Sequence, residues 1–211
     1  MNVFVLSTGR CGSLAFSEAC RHIRNFTSGH ETRCNLLGDA RFAYPDNHIE
    51  CDNRLSWLLG RLEKAYGDRA IYVHLSRNDE DTARSYFRRY SRGIMKAYRG
   101  SGILAGLSER SDPMAVALDY CGTVNSNIEL FLKDKSRKME IHLESMEHDF
   151  PRFWDFIGAE GELSAALGEF HHRHNATRER TGFDRWRYDF FMSYGKLKRL
   201  AFGLPRYIKD A

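Results

Sequence analysis

A glycine-broken turn near the start of the chain carries a side chain that can bind an anion. Arg10 stands in the segment Ser-Thr-Gly-Arg-Cys-Gly-Ser, residues 7–13, between an apolar stretch and a helix-like one. Backbone N–H groups and the dipole of the following helix would point at one spot there, which favours a phosphate-like ligand. The turn is not the GxxxxGK[ST] motif, because its cation precedes the second glycine and a P-loop lysine is missing. It therefore predicts an anion site and argues against an ordinary ATPase or GTPase.

A second polar turn carries similar chemistry further along the chain. Arg77 follows the apolar run 70–75, and Ser85 comes later in a predicted helix. An arginine at the end of a strand and a serine in the next helix can both reach one phosphate. In the alternative interpretation, Arg77 forms a surface ion pair with Asp79 or Asp81, and Ser85 merely packs.

The elements that would position these turns alternate between strands and helices. The predicted strands are 3–6, 26–28, 47–51, 70–75 and 138–143, and the predicted helices are 14–24, 54–66, 80–90, 113–134 and 150–158. This alternation predicts an α/β fold of three layers, with a mostly parallel central sheet flanked by helices, in one domain over residues 1–211. Ligands of such sheets bind at the carboxyl ends of the strands, so both basic turns are expected in one crevice.

The two turns together resemble a known family. A strand followed by [ST]-x-x-R-[SC]-G-[ST], and a later strand followed by R-[ND] and a serine, resembles the sulfotransferases that use 3′-phosphoadenosine 5′-phosphosulfate (PAPS). The resemblance covers residues 1 to about 158 and implies a P-loop NTPase-like sulfotransferase fold without a magnesium site. It implies that Arg77 and Ser85 bind the 3′-phosphate of PAPS. The residues that it assigns to the 5′-phosphosulfate are Thr8, Gly9, Arg10, Cys11, Gly12 and Ser13.

A third segment resembles one branch of that family. Gly-His-Glu-Thr-Arg, residues 29–33, is similar to the Gly-Glu-Glu-Thr-Arg stretch of tyrosylprotein sulfotransferases. Carried over, Glu31 is the catalytic base and Arg10 stabilises the sulfuryl group. His30 competes as base, because imidazole titrates near neutrality. Arg33 falls where that branch contacts its acidic substrate, but this chain is much shorter, so only the base is carried over.

Several further segments carry weaker predictions. In the family a late basic loop closes over the donor, and Asn175, Arg178 and Arg180 are candidates for it, with a solvated charge run as the alternative. The histidines within 171–174 lack the partners of a closed metal site, so no metal is predicted. The glycine-punctuated segment 91–111 is expected to form a mobile loop or lid. Glu144, after a predicted strand, is expected to be structural.

Composition limits the partners of this protein. A formal net charge of +4 suits an anionic substrate but is too small to indicate nucleic acid. The five scattered cysteines favour reduced thiols and a cytoplasmic location. The apolar runs are too short for stable membrane insertion, since a spanning helix needs about 20 apolar residues. The expected acceptor is a small molecule or a carbohydrate, and the sequence specifies neither its identity nor the oligomeric state.

Two other functions compete with sulfuryl transfer from PAPS to a hydroxyl or amine. A P-loop nucleotide or small-molecule kinase would have a lysine before Ser13 and a magnesium-binding acid where Arg77 stands. A non-catalytic anion- or polysaccharide-binding protein on the same fold would work without Glu31. The turn residues favour the sulfotransferase over the kinase, and a Glu31→Gln variant would separate it from the binding protein.

Overall fold

Five parallel strands form the central sheet of the computed structural model, which describes residues 1–171. The strands are β1 Val3–Leu6, β2 Thr27–His30, β3 His48–Cys51, β4 Ile71–Ser76 and β5 Lys138–His142. Their order across the sheet is β2-β3-β1-β4-β5, and every neighbouring pair is parallel. The central strand β1 is fully buried, which explains its uninterrupted apolar sequence, because parallel sheets are covered on both faces.

Helices follow or connect most of these strands. The α-helices are α1 Ser13–Cys20, α2 Leu59–Tyr66, α3 Asp79–Phe87, α4 Gly93–Ala97, α5 Pro113–Leu132, α6 Met146–Phe156 and α7 Leu163–Gly168. Short 3₁₀ segments span Gly38–Phe42, Asn53–Trp57, Gly67–Arg69, Leu143–Ser145 and Glu169–His171, and a π turn spans Tyr98–Gly102. Within residues 1–171, none of these helices combines the length and apolar character needed to cross a bilayer.

Two apolar clusters lie on opposite faces of the sheet. On one face, Val3 and Val5 pack with side chains of α1, α6 and α7. On the other, Phe4 and Leu6 pack with side chains of α2, α3, α4 and α5. Alternate residues of β1 thus enter different clusters, as the period of a strand requires. The predicted three-layer α/β fold with a parallel sheet is confirmed.

Two predicted segments differ from the structure. The predicted helix 54–66 is divided into a 3₁₀ segment and α2, and the Asp52 side chain accepts a hydrogen bond from the Arg54 N–H at the start of that 3₁₀ segment. The lid expected at 91–111 is wrong for its first part, because α4 and the π turn bury Met95 and Tyr98 completely or nearly so. The described residues form one compact unit. The single domain over 1–211 stays a prediction.

Candidate active site

The turn between β1 and α1, residues 7–13, is named here the arginine turn. Gly9, Arg10 and Gly12 all have left-handed backbone conformations, with φ of 80°, 64° and 83°. A Cβ atom on Gly9 would lie 2.5 Å from the Tyr86 hydroxyl, and one on Gly12 would lie 2.7 Å from Leu143 Cδ1. Both glycines are therefore required by conformation, and Gly9 also by space, because the Tyr86 hydroxyl is held on the Thr8 carbonyl. Arg10 adopts the same region without that freedom, which costs about 1 kcal/mol or more.

Buried hydroxyl groups fix the first part of the arginine turn. The Thr8 carbonyl oxygen accepts hydrogen bonds from the hydroxyls of Tyr86 at 2.5 Å and Tyr120 at 2.7 Å. Ser56 donates to the Ser7 carbonyl at 3.1 Å. Burial raises the pKa of both tyrosines, to about 12 for Tyr120, so their hydroxyls remain protonated donors at neutral pH. These anchors hold the turn at the carboxyl end of β1.

Cys11 fills the space beneath the arginine turn. Its thiol is 1% exposed, donates to the Gly9 carbonyl at 3.3 Å and lies 3.1 Å from Thr8 Oγ1. Burial raises the pKa of Cys11 to about 11, so the thiol stays protonated. Cys11 and Thr8, the latter 2% exposed, direct their side chains into the protein. These two predicted binding residues can therefore contact a ligand only through their main-chain atoms.

The two basic turns predicted to share a crevice do meet in space. Arg10 Nε donates to Ser85 Oγ at 3.0 Å, and an Arg77 guanidinium nitrogen donates to the Arg10 carbonyl at 3.4 Å. Ser85 thus contacts Arg10 rather than pairing with Arg77. Arg77 also lies 3.9 Å from the Asp81 carboxylate, so the surface ion pair weighed from the sequence is present as well.

Electrostatics add a residue that the sequence analysis missed. Burial lowers the pKa of the Arg10 guanidinium, and the positive charges of Arg89 and Arg77 lower it further. Arg89 comes one helical turn after Ser85, just beyond the end of α3. That spacing of four residues is the sequence signal that would have found it. Two further positive charges therefore act on the Arg10 guanidinium after the end of β1.

His30 and Glu31 lie at the end of β2, at the same carboxyl edge of the sheet as the arginine turn. His30 ends β2, and its Nε2 lies 3.1 Å from Ser13 Oγ, at the first residue of α1. Glu31 has a left-handed φ of 53° and forms an ion pair of 2.5 Å with Arg54. The histidine contacts the turn directly, whereas the glutamate faces a cation from the 3₁₀ segment after β3.

Arg54 is a second residue that the sequence analysis did not assign. Burial would lower the pKa of its guanidinium, but the hydrogen bond and charge of Glu31 outweigh that effect and raise it. The 3₁₀ segment that carries Arg54 is held by a buried ion pair between Arg41, 3% exposed, and Asp52, 0% exposed. Arg41 also donates to the Tyr44 hydroxyl at 2.8 Å. Charge pairs thus fix this side of the site.

Two residues singled out in the sequence have structural contacts. Arg33 donates to the Ala40 carbonyl at 2.9 Å and lies over the Tyr44 ring. Glu144 accepts a hydrogen bond from the Asn78 N–H at 2.9 Å, a contact of the kind that a structural role requires. Asn78 in turn caps α3 through its side chain.

The predicted positions fall into two groups. The structure gathers the arginine turn, Arg77, Ser85, His30 and Glu31 at the carboxyl edge of the sheet. Asn175, Arg178 and Arg180 lie outside the described residues. Among residues 1–171, no group of three or more Cys, His, Asp or Glu side chains is arranged to hold a metal ion.

Comparison with known proteins gives a fold relationship. No family model matches the chain, and no curated protein matches it in sequence. Among the solved structures, it is similar to the sulfotransferase domain from the curacin biosynthetic pathway, with a TM-score of 0.58 and 16% identity. The match covers 83% of this chain and 79% of that one. The shared feature is the fold, as the identity is low.

Proposed function

We propose that this protein is a sulfotransferase that moves a sulfuryl group from PAPS to a hydroxyl, or less readily an amine, of a small-molecule or carbohydrate acceptor. One observation carries the proposal. The Arg77 guanidinium reaches the Arg10 carbonyl where β1 and β4 end, and the positive charges of Arg77 and Arg89 both act on the Arg10 guanidinium. The fold likeness to a solved sulfotransferase domain supports the same conclusion.

Converging cations favour a ligand with several negative charges. Each like charge raises the free energy of its neighbours, most strongly where water is partly excluded, as around the half-buried Arg10. A ligand with anionic groups at two positions would relieve this repulsion. PAPS carries a 3′-phosphate and a 5′-phosphosulfate, which correspond to the two turns. A nucleoside triphosphate would instead call for a magnesium-binding acid, and Arg77 stands at that place.

Each side chain then has a distinct role towards the donor. Arg10 and the N–H groups at the start of α1 stabilise the charge that grows on the 5′ side during transfer. Ser13 contributes its hydroxyl at the first residue of that helix. Arg77, Ser85 and Arg89 hold the 3′-phosphate. The chemistry that PAPS supplies is a sulfuryl group bonded through oxygen to a good phosphate leaving group.

Glu31 accepts the proton of the acceptor in this proposal. As the acceptor oxygen bonds to sulfur, the sulfur–oxygen bond to the 5′-phosphate breaks and the acceptor proton passes to the Glu31 carboxylate. Arg54 keeps that carboxylate oriented through their ion pair. His30 is the alternative base, and its contact with Ser13 is the observation that favours it. A positioned base contributes about 10²–10⁴ in rate.

Ligand-induced stabilisation tests the binding half of the proposal. A thermal-shift comparison would use 3′-phosphoadenosine 5′-phosphate (PAP), the product of the donor, against ATP with magnesium. Because a ligand that binds the folded state raises its stability, PAP is expected to raise the melting temperature. Arg77→Met should abolish the PAP shift, and Arg84→Met, an exposed arginine of α3 paired with Glu80, serves as the matched control. Stabilisation by ATP with magnesium alone would contradict the proposal.

Turnover tests the catalytic half. PAP release from PAPS would be followed with a panel of phenols, sugars and amino sugars as acceptors. Acceptor-dependent release that is lost in Glu31→Gln, while PAP binding is retained, is the expected result. If Glu31→Gln and His30→Asn each release PAP as fast as the wild type does, neither residue is the base.

A further inference from the structure

A buried carboxylate lies behind the segment that carries Glu31. Glu50, in the middle of β3, is 0% exposed. Its Oε1 accepts a hydrogen bond of 2.7 Å from the Thr32 backbone N–H, and its Oε2 accepts one of 2.6 Å from the Thr32 hydroxyl. Thr32 is the residue directly after Glu31. The buried Glu50 carboxylate therefore binds both hydrogen-bond donors of Thr32, the residue next to the proposed base.

This carboxylate is supported from behind as well. His48 Nε2 lies 2.9 Å from Glu50 Oε2, and its Nδ1 lies 2.8 Å from the Thr27 hydroxyl. Burial by itself would raise the pKa of Glu50, but the hydrogen bonds from His48 and Thr32 outweigh it and lower the pKa. Burying a charged carboxylate is costly unless it is well hydrogen-bonded. Two of the hydrogen bonds to Glu50 come from Thr32, a residue that is itself exposed.

The local backbone explains why such a grip is needed. Glu31 has a φ of 53°, a region that glutamate seldom adopts without support. Gly29 makes room for the arrangement, because a Cβ atom there would lie 2.3 Å from Thr32 Cγ2 and 3.2 Å from Glu50 Oε2. The Glu31 N–H also donates to the Cys51 carbonyl at 3.1 Å. The turn after β2 is thus fixed on β3.

We propose that Glu50 is a positioning residue, which holds Glu31 in its left-handed conformation by binding the N–H and hydroxyl of Thr32. The inference rests on the proposed function, since it assigns Glu50 a role towards the base of that reaction. Glu50 does not touch the donor or the acceptor in this role. Loosening its grip would let the Glu31 carboxylate move away from the acceptor oxygen while the arginine turn keeps its shape.

The test removes one hydrogen bond with little change in shape. Thr32→Val deletes the hydroxyl and keeps the branched side chain, whereas Thr32→Ser keeps the hydroxyl. We expect Thr32→Val to lower kcat about tenfold, since misplacement of a catalytic group by about 1 Å can cost about 10²-fold. KM and the Kd of PAP should stay unchanged, and Thr32→Ser should restore most of kcat. Thr123→Val is the matched control, because Thr123 lies on α5 and its hydroxyl is bonded to that of Tyr98 in the π turn.

Amide hydrogen exchange separates the possible failures. Residues 31–34 should be protected in the wild type and exchange faster in Thr32→Val and in Glu50→Gln, with melting temperatures recorded for each variant. A kcat for Thr32→Val equal to that of the wild type, or unchanged exchange at 31–34, would overturn the positioning role alone. Absence of PAPS turnover by the wild type would instead overturn the proposed function, and the role of Glu50 towards a base with it.

Discussion

The arginine turn and the segment around Glu31 meet at one sheet edge but are held by different interactions. The arginine turn is fixed by glycine conformations and by neutral buried groups, the hydroxyls of Tyr86 and Tyr120 and the thiol of Cys11. Its cations crowd together and lower the pKa of Arg10. The segment around Glu31 is fixed by the ion pairs Arg54–Glu31 and Arg41–Asp52 and by hydrogen bonds from Thr32 to the Glu50 carboxylate.

This difference indicates where a ligand is needed. Around Glu31, two cations have partners of opposite sign, in the pairs Arg54–Glu31 and Arg41–Asp52. Around Arg10, the charges of Arg77 and Arg89 lower the pKa of its guanidinium, although Arg77 also lies 3.9 Å from the Asp81 carboxylate. A multiply charged anion would relieve the repulsion that acts on Arg10. We therefore expect the donor to bind at the arginine turn and the acceptor proton to be removed on the Glu31 side.

Removing the central cation should have the largest effect. Arg10→Met is expected to lower the transfer rate about thousandfold, because one preorganised charge-stabilising donor is typically worth about 10²–10³ in rate. The melting temperature without ligand should change little, since the loss of repulsion with Arg77 and Arg89 offsets the loss of the hydrogen bond to Ser85. PAP-release kinetics and a thermal scan measure both. A transfer rate above about a tenth of the wild-type rate would contradict the role of Arg10 as the main charge-stabilising group.

Breaking the buried ion pair should mainly lower stability. Asp52→Asn leaves the Arg41 guanidinium buried without its anion, so the free energy of unfolding should fall by about 3 kcal/mol. Glu80→Gln, which breaks the exposed pair with Arg84, is the control and should change it by less than about 0.5 kcal/mol. Urea unfolding of the three proteins measures this. Equal stabilities would show that charge pairing does not hold the Glu31 side.

Replacing the proposed base should affect turnover without affecting binding. Glu31→Gln is expected to lower kcat about hundredfold, because general base catalysis is lost, and to leave the Kd of PAP unchanged. His30→Asn gives the comparison, measured in the same PAP-release assay. A larger loss in His30→Asn, with full activity in Glu31→Gln, would transfer the role of base to the histidine.

The two sides should also differ in thiol reactivity. Cys34, near Glu31, is exposed, whereas Cys11 is buried and its pKa is raised to about 11. At pH 8 only about one Cys11 thiol in a thousand would be ionised, so iodoacetamide should label Cys34 first. Peptide mapping by mass spectrometry gives the rates. Labelling of Cys11 as fast as that of Cys34 would mean that the arginine turn opens readily.

The strands and the two basic turns were predictable from sequence. Residues 3–6 were predicted as a strand and form β1, and 70–75 matches β4 within one residue at each end. Both are uninterrupted apolar runs that end in polar turns. Because parallel strands place their carboxyl ends together, the meeting of Arg10 with Arg77 also followed from sequence.

The supporting contacts were not predictable in this way. Tyr86 and Tyr120 bond to a carbonyl 78 and 112 residues away, and no local pattern marks such contacts. Arg54 and Glu50 gain their partners only when β2 and β3 pair. The helix at Met95 was missed because nearby glycines suggested a loop, whereas burial of Met95 and Tyr98 stabilises it.

The most direct test of the central claim is a calorimetric titration with two ligands that differ by one phosphate. PAP carries the 3′-phosphate assigned to Arg77 and Ser85, and adenosine 5′-monophosphate lacks it. We predict that the wild type binds PAP at least about tenfold more tightly, since a hydrogen bond to a charged group contributes about 1.5–3 kcal/mol, and that Arg77→Met removes this preference. Equal affinities for the two ligands in the wild type would contradict a PAPS site at the converging arginines.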